Sequence, residues 1–435
     1  MKAPYLLIAA VAVWACSVDK PQVEGDDITD KTQQEEVEEA GIVEELPVLM
    51  PDKGTFNMTE ENVAFAVNEQ KLAFSLLSKM YNPGESFVLS PLGIQLALGM
   101  LFQGADGQTA QEIADVAGFG QGTPDQVQGY GKQVIEGICG SDEVTTRIAN
   151  ILVSDIPVHS EYSDQLRSGY YAPTVECDFS ENPVGLKDRI DKWSEKVTEG
   201  AIPALLDRVD ENVAYYLISA LYMKGDWCVP MSSTRIAFIH GNGEKEKIPF
   251  ITTSTNYIGG SGADLLHYVK CDGYQIARRD LGKGGYGLVV VLPDGDLSSV
   301  IATLKNADWA AIMNSMKEEP VWMAMPQIDL SSKSDQVSTL SSLGLKTLFS
   351  LNAYLPRMFA GSKSSMVGNF LQKTRLKVDA AGIEGASVTV VEGILTDPEC
   401  GTGTEEPIVF LADHPFLFFV TEQTTGLILY AGVYE

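Results

Sequence analysis

In ENVAFAVNEQKLAFSLLSKM, residues 61–80, the apolar positions Phe65, Leu72, Leu76 and Met80 recur at helical spacing, and Asn82-Pro83-Gly84 ends the run. That pattern predicts a core-facing helix. SFVLSPLGIQLALGMLFQGADGQTAQEIADVAGF then passes from a short strand through Pro91 into an apolar helix, a Gly-rich turn and a second helix. Farther on, YYLISALYMKGDW, YGLVVVLPDG and PFLFFVTEQTTGLILYAGV combine β-branched and aromatic residues with turn punctuation, which predicts strands. Helices dominate the first half and strands the second, an α+β pattern.

Composition sharpens this. With 435 residues, 45% of them hydrophobic, the chain can bury a large core. No linker or charge block divides it after residue 57, and no repeat period appears, so one large domain is expected over residues 58–435. A formal charge of −28 makes nucleic acid, heparin-like polyanions and anionic membrane surfaces poor partners.

The first residues read separately. Met1-Lys2 and the apolar run Ala3 to Trp14 are too short to span a bilayer but fit a compact secretory leader, residues 1–16. Val13-Trp14-Ala15-Cys16 resembles a bacterial lipoprotein box, which would make Cys16 the lipidated first residue; Trp14 departs from the small residue usual there. Cleavage after Ala10-Val11-Ala12 is the alternative. Either way an exported protein is expected, extracellular or at the outer cell envelope, touching a membrane only through a lipid anchor. Residues 17–57 are acidic, poor in aromatics and without sustained periodicity, and are expected to be a disordered tether. Apart from Cys16, the cysteines are Cys139, Cys177, Cys228, Cys271 and Cys400. Their odd number and the lack of any C-x-x-C spacing point to buried free thiols rather than a metal site, with Cys400 exposed.

Five segments together resemble the serpin family, in the family's order and from about residue 58 to the end. They are FVLSPLGIQLALGMLFQGADGQTAQEI, KWSEKVTEGAIPALL, LISALYMKGDW, MPQIDLSSKSDQVSTLSSLGLKTLF and DHPFLFFVTEQTTGLILYAGV. The resemblance implies the serpin fold: mostly antiparallel sheets, a helical layer and an exposed reactive loop, here about residues 380–407. It also implies a monomer without cofactor that acts as a suicide inhibitor of proteases. In the family the loop baits a protease, is cleaved, and inserts as a new central strand of the main sheet while the acyl-enzyme persists. The other reading is a non-inhibitory serpin, a binding or structural protein whose loop is cleaved without trapping anything.

GIEGASVT lies where serpins carry the loop hinge, which assigns Gly382, Ile383, Glu384, Gly385, Ala386, Ser387, Val388 and Thr389 to it. Independently, the residues are written for a strand. No proline occurs between Val378 and Asp397, and Pro398 is the first. Alternation puts Ile383, Gly385, Ser387, Thr389, Val391 and Gly393 on one uncharged face fit for burial; Glu384 and Glu392 share the other, expected to meet solvent. Insertion of about a dozen residues would form on the order of ten to twenty backbone hydrogen bonds at roughly 1 kcal/mol each. The uncut state is therefore expected to be metastable, held by a kinetic barrier.

Counting as in the family places the scissile bond at Thr396-Asp397, with Leu395-Thr396 and Ile394-Leu395 as register alternatives. No Lys or Arg occurs from Val378 to Glu406, so trypsin-like proteases are poor targets and elastase-like, subtilisin-like or papain-like proteases, with small or aliphatic preference, fit better. Departures from the family pattern are Ile383 for the usual Thr or Ser, Ala380 and Ala381 for glutamates, and Val388 for a smaller residue. In the shutter beneath the main sheet Ser90 matches, while Gly93, Ser219 and Gln372 replace Ser, Asn and His. Trp227 is expected at the top of the sheet, where the loop first inserts.

Catalysis is not expected. His159, His240, His267 and His414 lack H-E-x-x-H spacing, no G-x-S-x-G occurs, and Gly282-Lys283-Gly284-Gly285 precedes a strand and reads as a hairpin turn rather than a phosphate cradle.

Overall fold

The structure, a computed structural model, describes residues 8–17 as a strand and then residues 45–51, 54–56, 58–210, 212–253, 265–359, 366–384 and 407–435. Gly385 to Thr389, Ile394, Leu395, Thr396, Asp397 and Cys400 lie outside the described residues.

After β1 (Ile8–Ser17), the first helix, α1 (Glu60–Met80), begins where the Thr59 side chain accepts the Asn62 N–H, and it buries Phe65, Leu72 and Leu76. Strand β2 (Phe87–Leu89) leads into α2 (Pro91–Gly104), N-capped by Ser90 with Pro91 in its first turn. Every residue of α2 is buried, as befits a helix apolar all round. α3 (Gly107–Ala117) and α4 (Pro124–Cys139) follow, the latter opening on a capping box between Thr123 and Gln126. Next come β3 (Thr145–Ser154), α5 (Ser160–Tyr170), β4 (Thr174–Glu176), α6 (Pro183–Val197) and β5 (Val213–Asp226).

Strands then take over: β6 (Ser232–Ile239), β7 (Lys245–Thr252), β8 (Leu265–Cys271), β9 (Tyr274–Leu281) and β10 (Tyr286–Pro293). The short helices α7 (Leu297–Leu304) and α8 (Trp309–Ser315) precede β11 (Lys317–Pro326) and β12 (Ile328–Asp335). The chain closes with α9 (Val337–Leu343), β13 (Met366–Val378), β14 (Gly382–Ile383), β15 (Ile408–Leu411), β16 (Phe416–Glu422) and β17 (Ile428–Tyr434). The expected α+β arrangement is present.

Two sheets result. The first joins β12, β13, β5, β3 and β4, with β14 and β1 between β13 and β5; the second runs β2, β17, β16, β10, β9, β8, β11, β7, β6, with β15 on β11. Strand β5 is buried on both faces. Leu217, Leu221 and Met223 join the main core with the wholly buried α2, while Tyr216, Ile218, Ala220 and Tyr222 join a second core with Leu186, Ile190 and Trp193 of α6.

Two stretches take positions that the sequence pattern does not indicate. The apolar run read as a leader pairs here as a central strand: Ala9 to Ala15 lie antiparallel to Arg375 to Asn369 of β13, and Ile8 to Cys16 antiparallel to Met223 to Tyr215 of β5. A run of small and β-branched residues without proline can fill a two-edged ladder as readily as it can serve a leader. Within the stretch expected to be a tether, residues 45–51 dock on the body. Leu46 is buried in the second core, Trp193 Nε1 donates to the Pro47 carbonyl at 3.1 Å, and Lys196 Nζ lies 2.6 Å from Glu45 Oε2. Leu46 and Val48 of ELPVLMP pack into and against the second core, an outlet the acidic residues before them lack.

Candidate functional site

The site lies where β13 ends at the top of the first sheet. The chain turns at residues 379–381 and re-enters as β14, in which Ile383 pairs with Val378 of β13 and with Gly225 of β5, and Gly382 with Asp226. The turn is fixed from several sides. Asp379 N–H donates to the Gly382 carbonyl at 2.9 Å and Ala381 N–H to Asp379 Oδ1 at 2.9 Å. Trp227 stands at this point: its backbone N–H donates to the Ala381 carbonyl at 3.1 Å and its indole Nε1 to the Asp379 carbonyl at 2.8 Å. Met231 N–H donates to the Ala380 carbonyl at 3.1 Å. Ala380 and Ala381 thus anchor the turn by their carbonyls, which needs no acidic side chain.

Gly382 is required by close approach, since a Cβ there would lie 2.2 Å from the Gly225 carbonyl oxygen. Ile383 is fully buried in the main core, on the face its alternation predicts. Glu384 does not follow its expected place. At φ +61° it has left strand geometry, and it is only 3% exposed rather than facing solvent. Its N–H donates to the Lys377 carbonyl at 3.2 Å, its carboxylate accepts from the Tyr222 hydroxyl at 2.8 Å, and Lys224 Nζ lies 3.6 Å away. Burial raises the Glu384 carboxyl above the usual carboxylate range, against the opposing pull of Tyr222 and Lys224. The Tyr222 phenol is pushed up strongly, first by burial and then by Glu384 and Glu199.

Below this point the β13–β5 gap continues as a ladder. Ile383 faces Gly225 and, with β1 running the same way, Ile8 faces Met223. β1 therefore occupies the positions that a strand continuing from Ile383 would take. Level with its middle, Ala12 pairs with Gln372 on one side and with Ser219 on the other, two positions that the family resemblance assigns to the shutter. Gln372 makes two hydrogen bonds with Ser90, and Ser90 Oγ accepts from the Gly93 N–H at 3.1 Å. Ser219 is buried. Despite the replaced residues, β13 is tied to the cap of α2.

The other candidates are engaged singly. His414 lies between Asp413 Oδ1 and the Pro293 carbonyl, both at 2.9 Å, while His267 is near Asp280 and His240 near Glu246. The Gly282–Gly285 segment is the expected hairpin turn between β9 and β10, and its Lys283 and Gly285 amides are taken by Glu143 Oε2 at 2.9 and 2.8 Å. Among the described residues no group of His, Cys, Asp and Glu could hold a metal, and no helix is long and apolar enough to cross a membrane. Cys139, Cys177, Cys228 and Cys271 are free thiols. Cys228, expected to be buried, is exposed beside the turn at Gly282, whose carbonyl its Sγ meets at 3.0 Å.

A segment without proline up to Asp397 thus starts as a strand between β13 and β5, above a gap that β1 fills in the same direction. A family model described as Serpin (serine protease inhibitor) matches residues 67–435, and the chain belongs to the serpin family. It is similar to Iripin-3 of Ixodes ricinus, at 26% identity over 81% of this chain and 89% of that one. It is also similar to Serpin B3 of Homo sapiens, at 27% identity over 83% and 96%. Among solved structures it resembles the native state of the thermophilic serpin tengpin, with a TM-score of 0.73 and 19% identity over 88% of this chain and 96% of that one, a likeness of fold.

Proposed function

We propose that this protein is a suicide inhibitor of serine or cysteine proteases that traps the acyl-enzyme by drawing its cleaved loop into the first sheet. The observation that carries this reading is the pairing of Gly382 and Ile383 between β13 and β5, at the head of a proline-free run. Insertion extends a ladder already begun. The bait bond is Thr396-Asp397, or one of its neighbours up to Ile394, and the absence of Lys and Arg from Val378 to Glu406 favours elastase-like, subtilisin-like or papain-like targets. The protein is exported, anchored through a lipid on Cys16, and works as a monomer without heparin, its charge of −28 opposing any polyanion.

Export and inhibition are linked by β1. Cleavage before Cys16 removes most of the strand that fills the β13–β5 gap, so the same event that matures the chain clears the path of the loop. The test is thermal. Mature protein cut near Thr396 is expected to melt far above the uncut form, and Ser387→Arg, which puts a charge on the buried face, is expected to be cut without that gain. Equal melting temperatures before and after cleavage of the unaltered protein would overturn the reading.

A further inference from the structure

Strand β14 ends at Ile383, and the geometry at the next residue, Glu384, is that of a pivot. Its φ of +61° lies in the left-handed region, which costs a non-glycine residue about 1 kcal/mol. A residue in an antiparallel strand has φ near about −140°. Insertion therefore cannot pass Ile383 until the Glu384 backbone rotates, and rotation pulls its carboxylate out of its pocket.

That pocket is built from three elements. β5 supplies the Tyr222 hydroxyl and Lys224; the turn after α6 supplies Glu199, whose Oε2 lies 3.2 Å from the same hydroxyl; β3 supplies Arg147, ion-paired with Glu199. β13 contributes the Lys377 carbonyl, which takes the Glu384 N–H, while the Lys377 side chain pairs with Asp379 at 3.0 Å. The Tyr222 hydroxyl has one proton and faces two carboxylates, so it can satisfy both only when one of them is itself protonated.

We propose that Tyr222, assisted by Lys224, is the catch that holds the pivot Glu384, and that opening this catch sets the pace at which the loop enters the sheet. Tyr222 is thus a positioning residue, and its effect on trapping rests on the inhibitor reading above. The catch is sensitive to pH. Buried Glu384 holds its proton above the usual value of 4.5 that the released carboxyl would have. The closed catch is therefore fully favoured below 4.5 and loosens as pH rises through the raised value of the buried group. Loss of the proton leaves two carboxylates on one hydroxyl, which favours release.

Amide hydrogen exchange at Ile383 and Glu384 in the uncut, full-length protein reads the catch without any protease. With intrinsic exchange subtracted, protection is expected to fall from pH 5 to pH 8. Tyr222→Phe, which keeps the ring, is expected to lose about five- to tenfold of the protection, the equivalent of one hydrogen bond. Glu384→Gln, which mimics the protonated acid, is expected to keep protection and lose the pH trend. Equal protection in the unaltered and Tyr222→Phe proteins, or a pH trend that persists in Glu384→Gln, would overturn the catch. Its effect on pace is read in mature protein cut by a metalloprotease, which forms no acyl-enzyme: the gain of stability is expected to develop severalfold faster in Tyr222→Phe. Equal rates would remove the gating role. A faster rate without covalent trapping of any serine or cysteine protease would keep the catch and remove the inhibitor reading.

Discussion

Gln372 of β13 and Ser90 at the cap of α2 exchange two hydrogen bonds: Ser90 N–H donates to Gln372 Oε1 at 3.2 Å, and Gln372 Nε2 donates to the Ser90 carbonyl at 2.9 Å. One side chain thus satisfies both backbone groups of a buried residue beneath the sheet. Gln372→Leu leaves that N–H unpaired, while the carbonyl keeps the Ile94 N–H at 3.2 Å, at a cost of about 1–3 kcal/mol. A lower melting temperature of the uncut protein is expected in a thermal melt; an unchanged one would show that water or Ser219 replaces the amide.

The burial of Glu69 makes a second prediction. It is fully buried in α1, accepts the Ile428 N–H through Oε2 at 3.0 Å, and leaves Oε1 without a partner among the described residues. Burial raises its carboxyl well above the usual range, so the folded state holds a proton that the unfolded chain releases. Its contribution is complete below 4.5, the ordinary value, and is lost as pH rises through the raised one. Denaturation across pH is expected to show Glu69→Gln gaining on the unaltered protein as pH increases, and parallel curves would contradict this.

The fold was legible because its signals are local. Helical spacing at Phe65, Leu72 and Leu76, the cap at Ser90-Pro91 and the β-branched runs of β5, β10 and β16 each declare an element without reference to the rest of the chain. Ile383 was legible for the same reason. Glu384 was not: alternation assumes strand dihedrals, and its φ of +61° together with partners at residues 222 and 224 comes from tertiary packing. The docking of Leu46 and Pro47 was hidden because ELPVLMP is too short for a period and follows an acidic stretch. β1 carries an apolar run that suits a leader and a buried strand alike, so periodicity could not separate them.

Docking of residues 45–51 is expected to stabilise the body. Leu46→Ala removes a buried side chain from beside Trp193, at a cost of about 2–3 kcal/mol. Tryptophan fluorescence during unfolding is expected to show an earlier transition in this variant, and a coincident one would mean that the segment adds nothing.

The β1 strand makes the sharpest distinction between forms of the chain. Full-length protein retaining Ile8 to Ser17 has the β13–β5 gap filled and is expected to be cleaved as a substrate. Protein beginning at Val18 has the gap free for its loop. Titration against one elastase-like protease compares the two, and equal inhibition per molecule would show that β1 does not block insertion.

The central claim is covalent trapping, and one gel tests it most directly. Protein lacking residues 1–17 is mixed with elastase-like and with papain-like protease, boiled in SDS and resolved. The expected result is a band at the sum of the protease mass and the inhibitor mass less its C-terminal fragment, absent when Ser387→Arg is used. Complete cleavage near Thr396 with no such band, while the protease keeps its activity, would contradict the claim.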